Sequence, residues 1–490
     1  MTETLVIGAY LVLTLGLGYL GLRLTRNDQD FYIAGGKLGW AVGGASIAAT
    51  QMSSGLFIGT IGVIYAVGWS FAWVVFVFPL AYWLMVAVIA PRFTRERKVS
   101  LPDFIATRYY SSAARVIAAI IILIAFVVYI SAQVIAGGLI GNALFGIPVQ
   151  TGMIGFMLIV LAYTAIGGMV AVVYTDFLQM MIMIAGAALA IPIVLSHTGG
   201  FGSMLTLVDS AAPITFTWEG IAPSLLITLG LAFFLGAVAR PEQLVRFYAM
   251  KDMATIRKGV GFVIVLVGVA HSLVFILALG TRVLFPSLST GDSAMPVLAV
   301  NALPLFLGTL LLVAVASAMM STISSVLLVA GTALSHDIYG TVRPHSSPAR
   351  RLMIGRIGTV VVGLVPLAMV LSGFGAGELV QFIVALFSAL MGAVFLVPVV
   401  AGVLWRRATR EGAITSMVGG LLGTVGWRLF GDTATIDPVV PGFLASLGLM
   451  IVVSLLTPAP PLAATAPFFD TPTDARPAAT ERTETGVSNE

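Results

Sequence analysis

Read for polarity, the chain is a succession of long apolar runs separated by short polar stretches. A helix that crosses a bilayer needs about 20 predominantly apolar residues. Thirteen runs approach or exceed that length, at 5–25, 41–66, 70–91, 113–142, 151–167, 176–197, 222–240, 259–284, 303–334, 355–373, 378–404, 411–429 and 438–457. They are numbered here as predicted helices 1 to 13. The pattern predicts an all-α polytopic membrane protein with a single transmembrane domain over 1–457. Residues 458–490, rich in Pro, Ala and Thr, read as a disordered tail.

Composition agrees. The 490 residues are 59% hydrophobic and only 9% charged, where a soluble domain carries about 25% charged residues. With no cysteine, disulfides, thiolate metal sites and cysteine nucleophiles are excluded. The four histidines, His197, His271, His336 and His345, lack metal-site spacing. Glu3 precedes the first run and Arg23 and Arg26 follow it, the reverse of a signal peptide. The first run therefore reads as a retained helix with its N-terminus outside.

That orientation can be checked against Lys and Arg, which concentrate in cytoplasmic loops. With the N-terminus outside, 23 of the 25 basic residues fall in inside loops or the cytoplasmic tail, leaving Arg282 and Arg428 outside. Arg240 and Arg246 are counted with the loop after helix 7. The net charge of +4 is thereby explained as topology facing a lipid bilayer, not as a surface for nucleic acid. Nothing in the pattern fixes an oligomeric state.

Helices 2–6 (41–197) and 7–11 (222–404) form two groups of five. Five is odd, so the second group enters from the opposite side, and if the groups are structural repeats they are inverted. Transporters built this way bind at mid-membrane, where the first helix of each repeat is broken. Here those are helices 2 and 7.

Helix 2 carries "SIAATQMSSGLFIG", residues 46–59, inside a charge-free stretch from Leu38 to Arg92. Its small and polar centre admits close helix packing or an interruption at Ala48–Gly55. An interruption frees carbonyls at mid-depth, where they can bind a hard cation. Helix 9 carries "ASAMMSTISSVLLVAG", residues 316–331, with Ser317, Ser321, Ser324 and Ser325 on one face and Thr322 beside it. Each hydroxyl either bonds back to its own helix or serves as an oxygen ligand. Asp176 is either the N-cap of helix 6 or an intramembrane cation ligand. Tyr129 and Gln133 share a face of helix 4, and Gln133 needs an interhelical partner or a watery cavity. Phe233 and Phe234 sit in helix 7 as packing or gate. No Walker loop or strand-borne Gly motif is present, and no catalytic constellation stands out.

Five stretches, in order, resemble the sodium:solute symporters: "DFYIAGGKLGW", "YTAIGGMVAVVYTDFLQ", "ARPEQLVRFYAMKD", "AMMSTISSVLLVAGTALSHDIYG" and "LWRRATREGAITSMVGG". The resemblance runs over about 5–457. It implies the five-plus-five inverted-repeat fold with one extra N-terminal helix and two C-terminal helices. It implies a sodium site from the backbone oxygens of Ala49, Met52 and Ala318 and the hydroxyls of Ser321 and Thr322. It further implies that a second sodium would use Asp176, Ser321, Ser324 and Ser325, and that Ser53, Tyr129, Gln133 and Phe234 line the solute pocket. Proline carriers have an acid where Gln51 stands and sugar carriers a glutamine where Leu56 stands; two stretches lean toward pantothenate-type members. The expectation is secondary active, sodium-driven uptake of a small organic solute, carboxylate- or amino-acid-like, by alternating access. The alternatives are a proton-coupled carrier on the same fold, a transport-like sensor and a channel.

Overall fold

The computed structural model describes residues 2–25, 28–211 and 220–470. Among them the regular structure is helical, with one isolated β-bridge, Leu38 to Met250. The predicted spans appear as α1 (Thr2–Leu24), α2 in two halves (Trp40–Gln51 and Gly55–Val67), α3 (Trp69–Phe93), α4 (Ser112–Phe145), α5 (Val149–Ala162), α6 (Gly168–His197), α7 (Pro223–Ala249), α8 (Met253–Leu284), α9 (Leu305–Val342), α10 (Pro348–Leu371), α11 (Val380–Leu404), α12 (Arg410–Phe430) and α13 (Val439–Leu456). Burial sorts them. Over its most apolar stretch α9 is 94% buried and α11 89%, against 28% for α12 and α13. The hydroxyl-rich helix is thus the central post of the fold.

Close approach in a bilayer depends on small residues, because lipid gives helices no hydrophobic reason to associate. A Cβ on Gly44 of α2 would lie 2.6 Å from the Gly259 carbonyl oxygen of α8, and one on Gly236 of α7 would lie 2.5 Å from that of Ser388 in α11. These glycines bring the two broken helices backbone-to-backbone against their neighbours.

Two predicted boundaries move. Helix 6 does not begin at Asp176. The chain bends at Gly168 (φ 64°, ψ −172°), a conformation suited to glycine, and is helical from there. Asp176 is therefore two turns inside α6, and the N-cap reading is wrong. Helix 7 does not end at 240. It breaks at Arg240 (φ −65°, ψ 118°) and resumes as Pro241–Ala249. Proline holds the residue before it extended and suits the first turn of a helix. Arg240, Glu242 and Arg246 are consequently buried and do not lie in a loop.

The junctions after the odd-numbered helices gather on one face. Leu38 pairs with the 249–251 backbone, Arg97 donates to Lys251 O at 3.0 Å, Arg115 pairs with Asp337 at 2.9 Å, and Phe31 packs against Gly168. The contacts join the ends of α1, α3, α5, α7 and α9. Arg26, Arg476 and Arg482 of the charge argument lie outside the described residues.

The expected disordered tail is overturned in part. Leu462–Phe469 is a helix docked on this face, while 471–490 lie outside the described residues. Phe468 is fully buried, edge-on to Phe104 at 5.6 Å. The Phe469 ring faces the guanidinium groups of Arg92, Arg108 and Arg406 at 5.3–5.5 Å. Arg95 donates to Phe468 O at 2.9 Å, and Arg406 pairs with Asp470. Aromatic burial and cation–π attraction outweigh what Pro/Ala/Thr-rich composition suggested. Phe468→Ala should cost about 3 kcal/mol, the usual loss for a buried phenylalanine. It should lower the thermal unfolding temperature in detergent, whereas Leu462→Ala, at an exposed position of the same helix, should leave it unchanged.

Candidate functional site

The two halves of α2 meet at 48°, with the break at Met52 (φ −77°, ψ 67°). In lipid each backbone group released by such a break needs another partner, and the partners can be followed one by one. Ser53 N–H turns back to Gln51 O at 2.9 Å. Ser54 N–H donates to Gln133 Oε1 of α4 at 3.0 Å. Gly55 N–H donates to Ser53 Oγ at 3.1 Å. In an unbroken helix, Ser53 and Ser54 would have donated to the carbonyls of Ala49 and Thr50. Those two oxygens instead face α9.

There Ser321 Oγ lies 3.0 Å from both Ala49 O and Ala318 O. Thr322 Oγ1 lies 3.2 Å from Thr50 O and 2.9 Å from Ala318 O. Five uncharged oxygens from two helices therefore converge in a fully buried spot. Four of them belong to residues expected there; Thr50 O is an addition, and Met52 sits at the turn itself. The other hydroxyls of the cluster divide. Ser317 and Ser324 bond back within α9, to Val313 O and Ser321 O at 2.8 and 3.0 Å. Ser325 faces α2 and lies 3.1 Å from Thr50 Oγ1.

Below the break lies a charged network. Asp176 Oδ2 accepts from Ser46 Oγ at 2.5 Å and from Arg246 Nη2 at 3.0 Å. Arg246 also donates to Ser46 Oγ at 2.7 Å, to Ser325 Oγ at 2.6 Å and to Glu242 O. One guanidinium on α7 thus binds α2, α6 and α9 together, with both charged groups fully buried.

Above it, a small cavity is lined by Gln51, Ser53, Phe78, Phe233, Arg240 and Gln381, among others. Gln51 Oε1 accepts from Gln243 (3.0 Å), Tyr82 (3.1 Å) and Arg240 (3.3 Å). Arg240 also donates to Ser388 Oγ at 2.9 Å and lies over the faces of Tyr129 and Phe387, which stack at 4.1 Å. Several buried polar atoms here have no protein partner: Tyr129 Oη, Gln133 Nε2, Arg240 Nε, Gln243 Oε1, Gln381 Oε1 and both carboxylate oxygens of Glu242.

Of the expected pocket residues, Ser53 lines the cavity. Tyr129 stands behind Arg240, and Gln133 holds the break. Phe234 is a correction: it is half-buried and outside the cavity, while Phe233 packs on Phe78 at 6.0 Å and lines it. Adjacent helical residues point about 100° apart, so the pair was identified but the wrong face chosen. Gln51, Arg240, Arg246 and Gln381 were not assigned to a site. The signal available was Pro241, which marks a helix restart within "ARPEQ".

Comparison with known proteins follows the same line. The model of the sodium:solute symporter family matches residues 31–420. A high-affinity proline transporter of Bacillus subtilis is 30% identical, over 93% of this chain and 98% of its own. The sodium/pantothenate symporter of Escherichia coli is 26% identical, over 90% and 93%. Among solved structures, a Na⁺-coupled sialic acid symporter in a substrate-bound outward-open state superposes with a TM-score of 0.82 at 19% identity, over 94% of this chain and 98% of that one. Mhp1, a nucleobase-cation-symport-1 transporter, gives 0.63 at 14% identity, over 90% and 99%. The family match over most of the length, on a fold shared with known transporters, leads to one conclusion: this multi-pass membrane protein is a transporter and belongs to the sodium:solute symporter family.

Proposed function

We propose that the chain is a secondary active transporter that couples inward sodium movement to uptake of a small solute bearing a carboxylate, by alternating access. The observation carrying this reading is the convergence of Ala49 O, Thr50 O, Ala318 O, Ser321 Oγ and Thr322 Oγ1. Carbonyl and hydroxyl oxygens are what a hard cation takes in exchange for water, and no carboxylate is among them to retain the ion. With Met52, these residues form the proposed sodium site. Sodium there would tie the broken helix to α9 and complete the solute cavity beside the break. Its release on the low-sodium side would loosen both. In this reading 41–197 and 222–404 are the inverted repeats, the N-terminus lies outside, and the arginine-rich face is cytoplasmic.

The solute class rests on Arg240. It makes no ion pair among the described residues, its Nε is unpartnered, and it borders the cavity. A guanidinium is well shaped to take a carboxylate. The proline and pantothenate carried by related symporters both have one. Gln51, which meets Arg240, is neutral where proline carriers have an acid, so the arginine is left for the solute. Leu56 lines the cavity where sugar carriers have a glutamine, which speaks against sugars. Glu242 favours the second reading, a proton-coupled carrier, since its buried carboxylate accepts no hydrogen bond among the described residues and could take up a proton.

A tenfold sodium gradient supplies about 1.4 kcal/mol, and a potential of about 100 mV adds about 2.3 kcal/mol per charge. One sodium therefore sustains roughly 500-fold accumulation of a net-neutral solute.

Uptake into proteoliposomes of labelled proline, pantothenate, pyruvate, acetate, a sugar and sialic acid tests the proposal. Accumulation of one carboxylate under an inward sodium gradient is expected; accumulation driven only by a proton gradient would transfer the case to Glu242. Ser321→Ala and Thr322→Ala should each raise the sodium concentration for half-maximal uptake, with expression unchanged; unaltered sodium dependence in both would remove the site. Arg240→Gln should weaken apparent solute affinity about 10- to 100-fold, the worth of a charge-assisted hydrogen bond. It should shift the sodium requirement far less.

A further inference from the structure

The resemblance to the family raises a second sodium, held by Asp176, Ser321, Ser324 and Ser325. The donor set does not fit one. Asp176 Oδ2 and Ser325 Oγ are both taken by the same nitrogen of Arg246, Nη2, at 3.0 and 2.6 Å. Ser324 Oγ is turned into its own helix, 3.0 Å from Ser321 O. Ser46 Oγ, the other group on Asp176, is 2.5 Å from the carboxylate and 2.7 Å from Arg246 Nε. The place where a second ion would lie between α6 and α9 therefore already holds a positive charge. The carboxylate that would attract the ion is already neutralised. Arg246 and Asp176 are both fully buried, so water does not screen them, and a further cation beside the guanidinium would be repelled strongly.

We propose that Arg246 is a built-in cation standing in for a second sodium, so that this carrier binds and moves one sodium per cycle. The inference rests on the sodium-coupled reading above and adds the ion count to it. The arginine does what an ion there would do, since it clamps the first half of α2, through Ser46, to α6 and α9. Being tethered to α7, it does so at every sodium concentration and contributes nothing to the driving force. One orphaned oxygen, Asp176 Oδ1, remains as the residue of the displaced site. Removing the guanidinium would expose the carboxylate, Ser46 and Ser325 together, a set of hard oxygen ligands with one negative charge.

The test is the number of ²²Na⁺ ions bound at saturation by purified full-length protein in detergent, which requires no knowledge of the solute. The wild type should bind one per chain. Arg246→Ala should bind two, the second more weakly, and Arg246→Ala combined with Asp176→Asn should return to one. Two ions on the wild type, or a folded Arg246→Ala variant still binding one, would overturn the proposal. Should Arg246→Ala fail to fold, Asp176→Asn alone decides. A count unchanged at one supports the built-in cation, and a fall from two to one refutes it. A wild type that binds no sodium refutes the sodium-coupled reading itself, an outcome distinct from a count of two.

Discussion

Everything at the centre of this protein depends on one constraint: a backbone interrupted inside a bilayer must find new partners for each group it releases. At the α2 break these partners are specific. Gln133 takes the Ser54 N–H, Ser53 supplies its own hydroxyl to Gly55, and the hydroxyls of Ser321 and Thr322 meet the carbonyls of Ala49 and Thr50. The break is thus a joint between α2, α4 and α9. The oxygens that satisfy it are those of the sodium site proposed above.

The second broken helix solves the problem differently. At Arg240 the missing donor is removed outright, since Pro241 has no N–H to satisfy. The break then brings two arginines and Glu242 into the protein interior. Arg246 is spent on Asp176, as the ion-pair geometry shows, while Arg240 spreads over two stacked rings and two polar side chains, Gln51 and Ser388. Burying a guanidinium is costly unless its charge and donors are met. Here one arginine is met by a carboxylate at hydrogen-bond distance, and the other by π faces and neutral oxygens, with the Glu242 carboxylate acting on it only through space.

Local pattern carried a good deal of this. Apolar length located thirteen helices. The small and polar centre of 46–59 marked the break, and the spacing of hydroxyls in 316–331 marked its partner. What pattern did not carry was pairing over distance. Arg246 and Asp176 are 70 residues apart, and a count of charges by loop had no means of separating a buried arginine from one facing a headgroup. The cap reading of Asp176 depends on helix 6 starting at 176, whereas the turn lies at Gly168. Composition also hid Phe468 and Phe469, whose partners are arginines from three distant segments.

That aromatic anchor bears on how the chain is assembled. Its partners Arg92, Arg95, Arg108 and Arg406 lie at the end of α3 or after α3 and α11, and the anchor itself follows α13. It can close only when the segments between have crossed the bilayer an even number of times. A chain in which one helix failed to insert would deliver Phe468 to the opposite side of the membrane, leaving four arginines and a hydrophobic socket empty. Docking of the last described turn therefore depends on every helix before it having been threaded in order.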